Sequence, residues 1–303
     1  MRSSIAMWWA ALLLLGTGAS LAATPRSFPT PDAAVDALVA AVRASDTRKV
    51  LDVLGSDAKP LVASGDVVAD HATGHRFIEQ YDQAHTLLTT AEGSRTLVTG
   101  PDQWPFPIPV VQGKSGWSFD VKAGKQEVLA RRVGRNELDA IQVCLAYVDA
   151  QREYRERNPD GNVPATYAKQ LVSTTGKRDG LYWPAEAGAE ESPLGPRVGG
   201  VDSEGYHAQA GKLTPYHGYY YRVLTSQGPH AEGGAVNYLV SGKLYGGFAL
   251  VAWPATYGNS GIMTFLVNHA GVVFQKDLGP ETASKAKAMK TFDPDSSWTK
   301  AQL

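Results

Sequence analysis

The sequence predicts an α+β protein in which N-terminal helices and a small antiparallel sheet precede a long helix packed on a C-terminal antiparallel sheet. Two stretches near the N-terminus repeat apolar residues at helical spacing, and residues 95–120 break into short apolar runs separated by turn residues. A long helical pattern follows, and from Gly218 onward the chain is rich in β-branched and aromatic residues. Because helices and strands lie in separate blocks, we expect the α+β class rather than an alternating α/β fold.

Helix-capping residues mark the first two helices. Thr30 and Pro31 suit the N-cap and the first position of a helix, and apolar residues at 34, 35, 38, 39 and 42 give that helix a buried face. Asp46 is the expected cap of a second helix, and Gly55 is its expected C-terminal stop. A weaker helical pattern covers residues 74–88.

Three strands are predicted next, over residues 95–99, 106–111 and 116–120, with a turn between the last two. Residues 104–109 (WPFPIP) form a stiff extended segment, and we expect it at a sheet edge because proline cannot donate a ladder hydrogen bond. Two helices followed by such a sheet suggest, by fold analogy alone, a cone of the nuclear-transport-factor-like kind.

A second unit is predicted from Gly134, beginning with a helix that Asn136 caps and that ends near Arg157. The expected core-facing stripe of that helix is Leu138, Ile141, Leu145, Val148 and Arg152. Residues 185–211 have the composition of a long loop. Strands are predicted over residues 219–224, 236–240, 248–253, 262–267 and 272–276, and a closing helix over residues 281–290.

Residues 1–22 have the pattern of a secretory signal peptide. Arg2 supplies the positive start, the apolar run over residues 5–15 is too short to span a bilayer of about 30 Å, and small residues precede a cut after Ala22. We therefore expect an exported, periplasmic protein whose mature units cover residues 23–133 and 134–303. An uncleaved N-terminal anchor is the alternative, and no transmembrane segment is expected after cleavage.

Composition narrows the expected partners. The 303 residues carry 29 Lys and Arg against 30 Asp and Glu, a net charge of −1, so no basic field indicates a nucleic-acid partner. Cys144 is the single cysteine, which excludes an intramolecular disulfide, and its helical surroundings predict a buried structural thiol. An envelope protein or a small ligand is the expected partner.

Motifs for nucleophiles and phosphate loops are absent or incomplete. No Gly-x-Ser-x-Gly occurs, and residues 258–261 (GNSG), which come closest to it, are better interpreted as a loop between strands. Residues 113–115 (GKS) imitate the end of a phosphate loop, but Ile108 stands where its first glycine is needed.

Two patterns resemble metal sites without completing them. His71 and His75 lie four residues apart with Glu79 in line and His85 nearby, which suits either a zinc site or a solvated helix face. Asparagine and aspartate at positions 158, 160 and 162 imitate a calcium loop, but Lys169 stands where the closing glutamate belongs, and a helix-stopping turn fits better. We predict no metal and no cofactor.

Aromatic residues are dense in the second unit and supply the candidate ligand-binding residues. The set is Tyr182, Trp183, His217, Tyr219, Tyr221 and Trp253. Strand alternation puts Tyr219 and Tyr221 on one sheet face and Tyr220 on the other, so one face would offer a stacking surface. A well-packed β core is the alternative explanation of the same residues.

Several segments resemble the bacterial DUF 2950 family over most of the chain. They are residues 104–109 (WPFPIP), 134–138 (GRNEL), 147–154 (YVDAQREY), 180–184 (GLYWP), 215–220 (PYHGYY) and 246–254 (GGFALVAWP). The resemblance implies an exported protein of Gram-negative bacteria with no assigned activity, so it transfers no catalytic residue. The order of elements in the second half is also similar to the globular heads of type IV pilin-like proteins and pseudopilins, although a soluble domain here replaces their membrane helix.

These observations favour a non-catalytic binding or accessory module of the cell envelope. One alternative is an envelope hydrolase that uses His217 with the aromatic loops. Another is an accessory factor of a pilin-like or secretion assembly. We assign no catalytic residue from the sequence, so the enzyme question stays open with the balance against activity.

Overall fold

The structure is a computed structural model that describes residues 24–90, 92–184, 191–195 and 214–302. The predicted signal peptide over residues 1–22 lies outside these residues, and so does most of the loop predicted over 185–211. Within the described ranges, no helix combines the length and apolar character needed to cross a membrane. The chain is α+β, as the sequence predicts.

Four helices open the chain, and side-chain caps begin three of them. Helix α1 (Pro31–Arg43) begins where the Ala33 amide donates to Thr30 Oγ1, and α2 (Thr47–Leu54) begins where amides donate to Asp46, both as predicted. A 3₁₀ turn and the short α3 (Lys59–Val62) lead to α4 (Val67–Gln83), which Asp66 caps.

An antiparallel sheet packs one face on these helices. Its strands are β1 (His85–Thr89), β2 (Arg95–Thr99), β3 (Trp104–Pro105), β4 (Val110–Gly113) and β5 (Gly116–Phe119). The order is β1-β2-β4-β5, with β3 also paired to β2. Apolar residues of β2, β4 and β5 share a core with α1, α2 and α4.

Two local predictions for this unit are wrong. Residues 85–88 form the edge strand β1 rather than helix, because their backbone pairs with β2 once α4 has ended. The strand predicted over residues 106–111 begins only at Val110, because Pro107 and Pro109 have no N–H with which to join the ladder.

Helix α5 (Val121–Arg157) is a single helix of 37 residues. The prediction that Asn136 caps it is wrong: Asp120 is the cap, accepting a hydrogen bond from the Ala123 amide at 3.0 Å, and Asn136 lies buried in mid-helix. Leu138, predicted to face the core, is 59% exposed. Residue 134, where the sequence suggests that a second unit begins, therefore falls inside a continuous helix.

The packing of α5 and the small cost of Gly134 explain why the helix is continuous. Its first turn lies against the proline-rich segment, where a Cβ on Gly124 would approach Ile108 Cγ1 and the Pro107 carbonyl at 2.7 Å. A Cβ added at Gly134 would have no neighbouring atom within 4 Å. The glycine therefore destabilises the helix only by the usual amount, about 1 kcal/mol relative to alanine. That penalty is small beside the apolar area that the rest of the helix buries.

A second antiparallel sheet covers the C-terminal half of α5. The strands are β6 (Tyr219–Leu224), β11 (Ala249–Pro254), β12 (Met263–Asn268), β13 (Phe274–Asp277) and β14 (Thr299–Lys300). Their order in the sheet is β14-β13-β12-β11-β6. One face packs on α5, and the other packs on α6 (Thr282–Ala288) and on the segment between β6 and β11, which contains four short strands. These are β7 (Ser226–Gln227), β8 (Val236–Asn237), β9 (Leu239–Val240) and β10 (Lys243–Leu244).

Buried polar contacts join the two halves of the molecule. Asp66 accepts hydrogen bonds from the Ala69 amide, which begins α4, and from the Gly218 amide at 2.9 Å, just before β6. Arg132 of α5 donates to the carbonyls of Pro60 and Leu61 and to Asn259 Oδ1. Loops from both halves are therefore tied to the same turns of α5.

The continuity of α5 predicts opposite effects of alanine at its two glycines. Gly134→Ala should stabilise the protein by about 0.5–1 kcal/mol, because alanine lowers the entropic cost of helix formation and meets no neighbour. Gly124→Ala should destabilise it by about 1–3 kcal/mol, because the methyl group overlaps Ile108 and the Pro107 carbonyl. Urea denaturation of both variants measures the difference, and a destabilising Gly134→Ala would show that the helix is broken there.

Candidate functional site

The predicted aromatic residues lie mostly in the core of the C-terminal half. Tyr182, Trp183, Tyr219 and Tyr221 share one apolar cluster between α5 and the sheet, each no more than 9% exposed. Trp253 is fully buried on the opposite face, where its ring lies 5.7 Å from that of Tyr220. The structure thus confirms the alternation of the tyrosines in β6 but places the set on both sides of the sheet.

Burial changes what these aromatic groups can do. Helix α5 covers Tyr219 and Tyr221, so the expected open stacking surface is occupied by the protein itself. Burial, and to a lesser degree Glu137, raises the pKa of Tyr219, and burial raises that of Tyr221, so both phenols stay protonated. The Tyr219 hydroxyl donates to the Met263 carbonyl at 3.0 Å. Ligand binding by the aromatic set stays a prediction. The role that the structure shows for Tyr219 and Tyr221 is to pack the core.

His217 lies where the two halves meet, in a left-handed backbone conformation with φ 48°. Its ring is 4.1 Å from the ring of Tyr216, and its Nδ1 is 3.8 Å from Asp139 Oδ2. The side chains of His217 and Asp139 are both about one-third exposed. Ser260, on the loop that faces Gly218, is fully buried with its hydroxyl bonded to the backbone of Thr256. That serine is held as a structural group rather than as a free nucleophile.

A second histidine–carboxylate pair is exposed near the C-terminus. His230 Nδ1 lies 3.0 Å from Asp293 Oδ2, and the His230 amide donates to Asp293 Oδ1 at 2.8 Å. The carboxylate packs so closely on Gly228 that a Cβ there would lie 2.3 Å from it. The hydrogen bond that the Asp293 carboxylate accepts from the His230 ring, followed by the negative charge of Asp293, raises the pKa of His230. This ion pair therefore holds the loop after β7 against the segment that carries Asp293.

The residues of the two sequence patterns that resemble metal sites have other structural roles. Across the described ranges, no group of three His, Cys, Asp or Glu side chains is placed to hold a metal ion. His85 stacks on Tyr81 at 3.8 Å, and Asn158 ends α5 in a left-handed conformation. Cys144 is fully buried, as predicted, and desolvation raises its pKa to about 12, so the thiol is not reactive at neutral pH.

A pocket in the N-terminal half brings unpaired polar groups together. It lies between the last turns of α4 and the turn that joins β2 to β3, which are held together because the Gly100 amide donates to the carbonyls of Gln80 and Ala84. The pocket is a half-open cleft of about 330 Å³. Its lining residues are Arg76, Glu79, Gln80, Gln83, Thr99, Gly100, Pro101, Asp102 and Trp104. Helical spacing explains the first four, since positions 76, 79, 80 and 83 share one face of α4.

Trp104 forms the aromatic wall of this pocket and is 40% exposed. The guanidinium of Arg131, on α5, lies 4.6 Å from the centre of the Trp104 ring. Arg131 is itself held by Glu127 at 2.6 Å and by the Pro105 carbonyl at 3.1 Å. The cation lies over the indole and helps to hold the ring in place.

Several polar side chains that line the cleft have donor or acceptor atoms that no other described residue uses. Among the described residues, no hydrogen bond or ion pair engages the side chains of Glu79, Gln83 or Asp102. The Thr99 hydroxyl is buried with no hydrogen-bond partner in the same part of the chain. Thr99 Oγ1 is one of five such buried atoms among the described residues, and the other four do not line the cleft. Glu79, Gln83 and Asp102 are exposed, so their side chains are open to solvent and could contact a ligand.

Sequence reasoning missed this pocket although two signals were present. The histidines of α4 suggest a zinc site or a solvated helix face, whereas Arg76, Glu79 and Gln83, which recur along the same helix at helical spacing, carry no recognised motif. Residues 104–109 suggest a stiff edge segment and a family resemblance but not a binding site. What the sequence does not contain is the proximity of these two features, which the Gly100 turn creates.

The His230–Asp293 pair predicts a measurable titration. The pKa of His230 should lie above its ordinary value of 6.5, so the pair stabilises the fold below that pH, and the contribution is lost as pH rises through the raised pKa. Asp293→Asn should return the pKa towards 6.5. NMR titration of the histidine ring signals measures it, with His75, exposed on α4, as the internal control. An identical His230 midpoint in both proteins would contradict the assignment.

Comparison with known proteins identifies the family but no activity. The model of the family DUF2950, described as a protein of unknown function, matches residues 25–301. No curated protein and no solved structure matches the chain. The cone analogy and the likeness to pilin heads therefore stay predictions. The family match spans almost the whole sequence and agrees with the quoted segments, and the chain belongs to the DUF2950 family.

Proposed function

We propose that this protein is an exported, non-catalytic binding module of the cell envelope and that the pocket beside Trp104 is its binding site. The observation that carries the proposal is the convergence of free polar side chains and a fixed, half-exposed indole in one cleft. A concave site with a few directed polar groups is the usual form of a small-molecule site. The ligand is accordingly a small polar molecule.

The chemistry of the lining favours binding over catalysis. The side chains around the cleft include no histidine, cysteine, lysine or serine, and the groups there that could act as acids or bases are the exposed carboxylates of Glu79 and Asp102. The histidine–carboxylate pairs at His217 and His230 belong to other parts of the molecule. The hydrolase alternative centred on His217 lacks support from a free hydroxyl, since the Ser260 hydroxyl is engaged by Thr256.

The pilin-like alternative is supported only by the second half of the chain. There α5 packs on an antiparallel sheet, as it would in a pilin-like head. The first half of α5, however, packs on the N-terminal unit, where Arg132 bonds to the carbonyls of Pro60 and Leu61. A helix shared in this way is not free to pack into a filament, so we favour the binding module.

Export rests on residues 1–22, and it gives a direct test. When the full chain is produced in a Gram-negative host, the mature protein should appear in the periplasm with Ala23 as its first residue. Replacement of Ala22 by Tyr should block signal-peptidase cleavage and leave the precursor in the membrane fraction. Fractionation with intact-mass measurement distinguishes these forms. A soluble cytoplasmic protein that keeps Met1 would contradict export.

Ligand binding at the pocket is tested with a library of small polar compounds, comprising amino acids, dipeptides, sugars and nucleotides. A ligand that binds only the folded state should raise Tm in a concentration-dependent way. Trp104→Ala should abolish that ligand-induced shift. Trp298→Ala is the matched control, since that indole also lies beside a cation, with Lys276 Nζ 5.9 Å from its ring, but in the other half of the molecule. A shift unaffected by Trp104→Ala would place binding elsewhere.

A further inference from the structure

The lining of the cleft beside Trp104 indicates what kind of molecule it accepts. We propose that it binds an uncharged saccharide, with one sugar ring stacked on the indole. This inference rests on the proposed function of the cleft and adds the ligand class. Sugars combine an apolar C–H face with hydroxyl groups at the ring edge, and the cleft offers a partner for each.

The indole supplies the apolar contact. The Trp104 ring lines the cleft with 40% of the residue exposed, and the guanidinium of Arg131 lies 4.6 Å from the ring centre. Since Arg131 is anchored by Glu127 and by the Pro105 carbonyl, the ring does not have to be ordered when the ligand binds. Such preorganisation lowers the entropic cost of association.

The polar side chains supply hydrogen bonds of both directions. A sugar hydroxyl donates and accepts, and the amides of Gln80 and Gln83 do the same. The carboxylates of Glu79 and Asp102 accept, and the guanidinium of Arg76 donates. All five groups are planar, so each presents two atoms at a spacing that suits neighbouring hydroxyls on one ring. A ligand bound here would replace the solvent around these side chains with hydrogen bonds of its own.

Charge argues against phosphorylated or carboxylated ligands. The lining holds one cation, Arg76, and two carboxylates, Glu79 and Asp102, which gives a net charge of −1. An anion would meet two repulsive carboxylates for one attractive guanidinium. A volume of about 330 Å³ is at the lower end for ligand pockets, and it suits about one or two sugar rings with the remainder of an oligosaccharide in solvent.

The test uses the mature protein, residues 23–303, on an array of uncharged oligosaccharides, followed by calorimetry with the best-bound sugar. An uncharged dipeptide and inorganic phosphate are titrated in parallel. We expect saccharide binding that weakens by about tenfold or more in Gln83→Leu, because the bound hydroxyl loses its amide partner. Gln112→Leu, a change at an exposed glutamine on β4, is the matched control and should leave the affinity unchanged.

Two results would overturn the saccharide assignment, and they separate it from the proposed function. If the dipeptide or phosphate binds in a Gln83-dependent way and no sugar does, the cleft is a binding site for a different ligand class. If no sugar on the array binds and neither comparison ligand does, the saccharide assignment falls, and the Tm screen then decides whether the cleft binds anything. Saccharide binding that Gln83→Leu leaves intact would also overturn it, since the sugar would then bind elsewhere.

Discussion

The continuity of helix α5 is the constraint on which the rest of the structure depends. Its first turns pack on the proline-rich segment through Gly124, and its C-terminal half lies across the second sheet. Two fully or nearly buried polar residues along it, Asn136 and Gln151, bond to backbone atoms of Ser260 and Ala168. Such bonds are directional, and an unmatched partner would cost about 1–3 kcal/mol. The helix therefore fixes the position of the C-terminal chain along its own axis.

The contacts that flank α5 make the arrangement of the two halves specific. Asp66, almost fully buried, uses one carboxylate oxygen to begin α4 and the other to hold the Gly218 amide. Gly218 has φ +75°, and a Cβ there would lie 2.4 Å from Asn136 Nδ2, so only glycine fits between the carboxylate and the helix. Apolar side chains alone would allow the two halves to pack in more than one relative position. The hydrogen-bonded groups named here can pair in only one of them, so they fix how the two halves are aligned.

The sequence predicted the parts of the fold that are encoded locally. Thr30, Asp46 and the strands predicted over residues 219–224, 248–253, 262–267 and 272–276 are signalled by caps, turns and alternation within a few residues, and the structure confirms them to within about two residues. The strand predicted over residues 236–240 is wrong, since those residues form β8 and β9 in two different sheets. The start of α5 was missed because Gly134 looked like a boundary, and its small penalty is outweighed by contacts made with residues far away in the chain. The sequence gives a packed core only as the alternative explanation of the aromatic set, because composition cannot tell a stacking surface from a buried one. The structure buries every member of the set except His217. The cleft beside Trp104 depends on a tertiary contact at Gly100, which no local pattern encodes.

The same helix links the proposed site to the rest of the molecule. Arg131 supports the indole of Trp104, while Arg132 bonds to the loops that join the two halves. Neighbouring residues on a helix point about 100° apart, so both roles are possible only if α5 is regular at these positions. A helix that began at residue 136 would leave Arg131 in a loop and Trp104 without its fixed support. The support of the Trp104 ring therefore depends on the long helix, and the densest aromatic part of the chain serves mainly to pack the sheet against it.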